Sequence, residues 1–246
     1  MIKPDGPKIL LADIETAPII MAAWTTFEAN AVWVERDTFI LSFACKWLDG
    51  KVQSYALPDY SWYKRHKHDD IKLVKRLWKY LDEADVVIAH NGDAFDIKKI
   101  NSRLAVHGFK PPSPYKTIDT LKIARSVFKF DSNKLDNLGR YLREGRKIPN
   151  TGAALWRGCI DGDPKSWRIM RRYNEQDVLL LERVYNRLKP WAKRHPDLTL
   201  YTSDYGCPVC QSRHVTRQGI LIRIKSKVER LKCGNCGHWF QGKLVR

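Results

Sequence analysis

The run Ile9-Leu10-Leu11-Ala12-Asp13-Ile14-Glu15-Thr16 constrains the fold of this chain more than any other eight residues. Its first four positions are apolar without alternation, so both faces are buried, the pattern of a central strand in a sheet covered on two sides. A strand repeats every two residues, and Asp13 and Glu15 therefore project from one face at its end. Two adjacent carboxylates after a buried run repel and lose hydration, and a divalent cation between them removes both costs. The competing reading is that the pair marks the strand's exit into solvent.

Further strands are expected at 38–44 and 51–55, joined across Leu48-Asp49-Gly50, where Asp-Gly signals a tight reversal. The opening sheet is thus a three-stranded meander. Residues 69–83 carry Ile71, Val74, Leu77, Trp78 and Leu81 at helical spacing, and Asp85-Val86-Val87-Ile88-Ala89 reads as another buried strand. Helical patterns at 94–107, 119–129, 135–144 and 164–188 complete an α/β protein with a mixed sheet flanked by helices. Pro190 and Pro196 bracket the change to a cysteine-bearing tail, which divides the chain into domains 1–197 and 198–246.

In that tail Cys207-Pro208-Val209-Cys210 and Cys233-Gly234-Asn235-Cys236 form two C-x2-C turns. Each presents two thiolates, and together they complete a tetrahedral zinc site, so the tail reads as a zinc ribbon with strands at 220–224 and 228–231. A segment this small needs its metal to fold. Cys45 and Cys159 have no partner at metal spacing and read as reduced thiols. From Asp204 to Arg246 there are nine Lys or Arg against two Asp or Glu, with Trp239 and Phe240 after the second turn. Cations beside aromatics suit phosphate contact and base stacking, unless the two rings are the ribbon's own core; docking of a protein partner is a further role open to the ribbon.

The whole chain carries a formal charge of +17. That excess points to a polyanionic partner, nucleic acid ahead of an anionic membrane, with a generically solvated basic surface as the alternative. No apolar run approaches the roughly eighteen residues of a membrane span, and no secretion signal opens the chain, so no membrane association and a cytoplasmic location are expected.

A second acidic group stands at the exit of the 85–89 strand, in His90-Asn91-Gly92-Asp93-Ala94-Phe95-Asp96, where ligands of open α/β sheets collect. Asp93 is the better helix N-cap, leaving Asp96 for chemistry or for the helix dipole. On the last helix Tyr173 and Asp177 are four residues apart and share a face, a spacing that equally suits a surface pair, with Glu175 and Glu182 as further solvated charges. His90 reads as structural, Asp119 as an N-cap, and Trp24 and Trp33 as either substrate border or core.

Asp13-Ile14-Glu15-Thr16, His90-Asn91-x-x-x-Phe95-Asp96 and Tyr173-x-x-x-Asp177 resemble, in order and spacing, the three motifs of the DEDD exonuclease superfamily, in its branch with tyrosine in the third motif (DEDDy). Ile118-Asp119-Thr120-Leu121 and Lys134-Leu135-Asp136-Asn137-Leu138 extend the similarity, which spans residues 8–190 and leaves out the ribbon. The resemblance implies a ribonuclease H-like fold and 3′–5′ hydrolysis of nucleic acid, most simply of single-stranded or frayed DNA ends, releasing nucleoside 5′-monophosphates. It implies that Asp13, Glu15, Asp96 and Asp177 hold two Mg²⁺ or Mn²⁺ ions, with the zinc held separately by Cys207, Cys210, Cys233 and Cys236. Tyr173 would position the attacking water, and Thr16, Asn91 and Phe95 would contact the terminal nucleotide, Phe95 being equally suited to a core. An exoribonuclease is the near alternative; a catalytically silent adaptor working through the ribbon is the distant one.

Overall fold

The computed structural model describes residues 6–25, 27, 30–202 and 205–245. Asp204 and Arg246, which end the charge count above, lie outside the described residues. The opening run is strand β1 (Ile9–Thr16). A hairpin of β2 (Ile20–Ala22) and β3 (Trp33–Arg36) follows, then β4 (Ile40–Trp47) and β5 (Gln53–Ala56). Helix α1 (Ile71–Glu83) leads into β6 (Val86–Ala89), α2 (Asp96–Val106) and β7 (Lys116–Asp119). Four helices come next: α3 (Thr120–Val127), α4 (Leu135–Tyr141), α5 (Ala153–Asp161) and α6 (Pro164–Leu188). The tail holds β8 (Val215–Ile222), β9 (Lys227–Cys233) and β10 (Trp239–Val245).

The main sheet has the order β5-β4-β1-β6-β7. β5, β4 and β1 are the antiparallel meander, whereas β6 and β7 run parallel to β1, so the sheet is mixed. β1 is flanked on both sides, which is why its first four residues are all apolar and all buried. Period two sends Leu10, Ala12 and Ile14 into the layer with α1, α2 and α5, and Ile9 and Leu11 into the layer with α3, α4 and α6. Asp13 and Glu15 share the parity of Ile9 and Leu11 and so face α6.

α6 spans both layers. Asp163 caps it through the amides of Lys165 and Ser166 ahead of Pro164, in the manner of a strong start signal. Trp167 and Met170 enter one core and Val178, Leu181 and Val184 the other, and between these groups lie Tyr173, Asn174 and Asp177. Glu182 and Glu175 are not solvated as the sequence suggests. Glu182 pairs with Lys46 of β4 at 2.6 Å and Glu175 accepts from Ser54 of β5, tying the helix to the sheet.

Away from α6, the wholly buried Asp70 before α1 accepts from Ile40 N, from Arg103 Nε and Nη2, and faces His107 Nε2 at 2.5 Å. This network pins α1 and α2 to β4. β7, α5 and the β2–β3 hairpin depart from the sequence expectation. β7 is only four residues long, two of them exposed, within a stretch read as loop and helix start. Trp24 and Trp33 are exposed and belong to neither core.

The tail is a three-stranded antiparallel sheet of order β10-β9-β8, one strand more than expected, because Trp239 and Phe240 open a strand of their own. Phe240 packs with the cysteines and Val209, whereas Trp239 stays half exposed, so the two rings split between the two roles weighed for them. Leu198 packs into the α6 core and His238 Nδ1 lies 2.8 Å from Pro190 O, which seats the tail against the end of α6. Among the described residues no helix is long and apolar enough to cross a membrane.

Candidate active site

β1, α6 and the start of α2 deliver the acids. The pairing of β1 with β4 slips by one residue between Glu15 and Thr16, a bulge that re-aims the strand's end just where the carboxylates leave it. Carboxylate oxygens of Asp13, Glu15 and Asp177 all lie within 4.8 Å of one another. Asp96, buried at the first turn of α2, is outside that group; its Oδ1 accepts from Ile14 N at 3.2 Å, on the same strand between the two acids. The structure thus gathers three of the four expected acids and sets the fourth beside them.

The electrostatics are those of a site short of positive charge. Burial, then Asp96 and its other acidic neighbours, hold the Asp13 carboxyl well above the ordinary range. Glu15 is pushed up to about 8 by burial and by Asp177, and Asp96 to about 6, chiefly by burial. Asp177 is raised by burial despite a neighbouring cation. Its Oδ1 is buried and accepts no hydrogen bond. Three carboxylates gathered in a buried place, one of them with an oxygen that no hydrogen bond satisfies, are a donor set that a hard divalent ion fits.

Two residues essential to this arrangement were missed in the sequence. Asn174, fully buried, donates to Asp13 Oδ2 at 2.7 Å and to Asp13 O at 3.2 Å, and its Oδ1 accepts from Ser42, fixing the first acid. It sits three residues before Asp177 on the same helix face, a spacing that marks it in retrospect. Lys147 donates to Asp177 Oδ2 at 2.5 Å and to the Tyr173 hydroxyl at 3.1 Å. Asp136 holds the Lys147 segment in place by accepting from Lys147 N and from Arg146. Nothing in the sequence singles out one lysine in so basic a chain.

Tyr173 is 8 % exposed, its hydroxyl directed to the acids by Lys147, and burial pushes its pKa up to about 12, so it remains a phenol. At the exit of β6, Asn91 adopts a left-handed conformation (φ 65°) and Gly92 has room for no side chain, because a Cβ would meet Ala89 Cβ at 2.4 Å. Asp119 clamps this turn through Asn91 N and caps α3 through Leu121 N, as expected. Asp93 caps nothing; Phe95 takes the cap position of α2 and Asp93 pairs with Lys122. His90 is 2.9 Å from Thr120 Oγ1 and burial lowers its pKa to about 4, consistent with a neutral structural role. Thr16 ends β1, and Phe95 is 40 % exposed, which removes it from the core. A cleft of about 630 Å³, lined by His90, Asn91, Arg125, Lys134, Asp136 and Lys147 among others, meets the acids through Lys147, the partner of Asp177.

The four tail cysteines form a second centre, with all four sulfurs within 4.8 Å of one another. Cys207 and Cys236 sulfurs are 3.7 Å apart and Cys210 and Cys233 sulfurs 3.6 Å. Those separations are too long for disulfides and close to the edge of about 3.8 Å that a tetrahedron with Zn–S near 2.3 Å requires. His238 is engaged by Pro190 O and His214 is exposed, so the thiolates alone make a site that fits zinc. Cys45 and Cys159 are buried free thiols.

No curated protein sequence matches the chain. Among solved structures, the family B DNA polymerase of the hyperthermophilic archaeon Pyrobaculum calidifontis is similar in fold, with a TM-score of 0.56 at 15 % identity over 75 % of this chain. The matched part is 25 % of that polymerase, so the likeness concerns one portion of a much larger protein. The model of the RNase_H_2 family, part of the RNase H superfamily, matches residues 24–189, from just beyond β2 to the cap of α6. With most of its length under that match and a mixed five-stranded sheet carrying acids at the centre, the chain belongs to the RNase H superfamily.

Proposed function

We propose that the chain is a metal-dependent 3′–5′ exonuclease that shortens single-stranded DNA from its 3′ end, in the cytoplasm, releasing nucleoside 5′-monophosphates. The observation that carries this reading is the convergence of carboxylate oxygens of Asp13, Glu15 and Asp177 within 4.8 Å of one another. Asp13, Glu15 and Asp177, with Asp96 beside them, are assigned to two Mg²⁺ or Mn²⁺ ions. Bound there, the ions supply acidity for the attacking water and positive charge for the leaving 3′ oxygen.

The chain's own residues do the positioning. Tyr173, protonated throughout the working range, orients the water through its hydroxyl. Asn174 holds Asp13 in register, and Lys147 balances part of the negative charge from the side of Asp177. Thr16 and Asn91 border the terminal nucleotide, and the exposed ring of Phe95 is available to its base. The cleft beside Asn91, whose lining carries Arg125, Lys134 and Lys147 against Asp131 and Asp136, has the size for that nucleotide. Residues 1–197 are the nuclease domain in this reading, and residues 198–246 a ribbon built on one structural Zn²⁺ that grips the substrate.

The test is a ladder. Single-stranded DNA and RNA carrying a 5′ label are incubated with Mg²⁺ or Mn²⁺, and the DNA is expected to shorten one nucleotide at a time from the 3′ end. Shortening of RNA in place of DNA reassigns the chain as an exoribonuclease. Identical behaviour of wild type and Asp13→Ala removes the enzyme reading and leaves the binding adaptor.

A further inference from the structure

Where the tail meets the end of α6 there is a cleft of about 930 Å³ that the active-site chemistry does not use. One wall is the short helical turn Lys189–Trp191 and the other is the second cysteine turn with the start of β10. Trp191 on the first wall is 59 % exposed and Trp239 on the second 48 % exposed. Exposed indoles on both walls of one cleft are costly to leave in water and mark a binding surface. The charged side chains in the lining are Arg187, Lys189 and Lys232, with no carboxylate among them. Arg187 is ion-paired with Glu144 on its outer side at 3.3 Å, while Lys189 is held by Asn186 at 2.7 Å.

Neighbouring side chains hold both rings in place. Phe128 meets Trp191 edge-on at 5.5 Å and fixes its plane. Trp239 stands directly opposite Lys232 in the β9–β10 register, and Arg230 and Lys232 lie over its ring at 5.3 and 5.5 Å. The contact between His238 and Pro190 O holds the two walls together.

We infer that this cleft is a binding subsite for single-stranded nucleic acid, with bases stacked on Trp191 and Trp239 and phosphates met by Lys189 and Lys232. The inference rests on the nucleic-acid reading of the chain and deepens it, because it makes grip a joint property of α6 and the ribbon. Asp177 and Lys189, the cap of α6, are twelve residues apart, about 18 Å along the axis, a separation that a strand of several nucleotides can span. Flat aromatic faces with cations and no fixed hydrogen-bond pattern favour any base sequence over one.

The experiment uses the full, zinc-loaded chain in an Asp13→Asn background, so that affinity is read without cleavage. The affinity of a 5′-fluorescein-labelled oligothymidylate is measured by anisotropy for Trp191→Ala, Trp239→Ala and the double variant, with Trp→Phe counterparts. Each alanine is expected to weaken binding about fivefold to a hundredfold and phenylalanine to restore most of it. Zinc content and melting temperature identify any variant that has lost its fold, and the same oligonucleotide with photoreactive iodouracil is expected to crosslink to peptides containing Trp191 or Trp239. Unchanged affinity in the folded double variant, or crosslinks confined to other peptides, overturns the subsite even if the chain proves to be a nuclease. Competition by polyglutamate as strong as by unlabelled DNA assigns the cleft to an acidic protein segment instead. Tight, indole-dependent binding with no nuclease activity in the Asp13-bearing chain upholds the subsite and sinks the enzyme reading.

Discussion

Raising the pH should destabilise the metal-free protein, and divalent ions should reverse the loss. A carboxyl whose pKa is raised by folding binds its proton more tightly in the folded state, so stability is present below the unfolded value and is lost as pH rises through the folded one. For Glu15 that interval runs from an ordinary 4.5 to about 8, and for Asp96 from 3.8 to about 6. At about 1.4 kcal/mol per pH unit, Glu15 alone sets a ceiling of about 5 kcal/mol. Lys147 and water entry reduce it, and half of that ceiling corresponds to a fall of roughly 5–10 °C in melting temperature for a chain of this length. Asp69, Asp136 and Asp163, whose pKa values are lowered by hydrogen bonds and ion pairs, act in the opposite sense, but only in acid. The assay is therefore thermal unfolding between pH 5 and 8.5 of protein that retains zinc but lacks Mg²⁺ and Mn²⁺. Adding Mn²⁺ at about a hundred times its dissociation constant should return about 2.7 kcal/mol per site at pH 8 and much less at pH 5. A melting temperature that is flat across this range and indifferent to Mn²⁺ would mean that these carboxyls neither keep their protons on folding nor share an ion.

Tyr173→Phe should lower kcat by about 100-fold while leaving Mn²⁺ affinity, read by calorimetry, within about twofold, since the hydroxyl orients water and holds no ion. Asp70→Ala should cost about 3–5 kcal/mol in denaturant unfolding, because it strands Arg103 and Ile40 N in the interior, and it should leave cleavage per folded molecule unchanged. Cys233→Ser should reduce zinc below one ion per chain by metal analysis and make the segment after Pro196 sensitive to protease, with residues 8–190 still folded.

The central strand and its acid pair were legible because burial on two faces leaves an unbroken apolar run, and a strand's period fixes the face of whatever follows it. α6 and the cysteine turns were legible for the same reason, as period and spacing are local quantities. β7 was not, since it is four residues long and holds its place by pairing with β6, a contact made across the helix between them. Nor were Lys147 and the seam between Trp191 and Trp239. Lys147 is placed by Asp136 in a loop, and the two indoles, 48 residues apart in sequence, meet only through the seating of the tail on α6. The acids illustrate the limit from the other side: the three-motif resemblance implied all four, but only the fold shows Asp96 turned to the Ile14 amide while the other three converge.

The most direct test of the account is a crystal of the Asp13-bearing protein grown with Mn²⁺ and a non-hydrolysable single-stranded oligonucleotide, with anomalous scattering recorded for manganese. Two peaks are predicted about 3.5–4 Å apart, within coordination distance of Asp13, Glu15, Asp96 and Asp177, with the 3′-terminal phosphate against them. Manganese absent from these carboxylates in the presence of bound oligonucleotide, or found only at other sites, contradicts the claim that this is a metal-dependent nuclease centre.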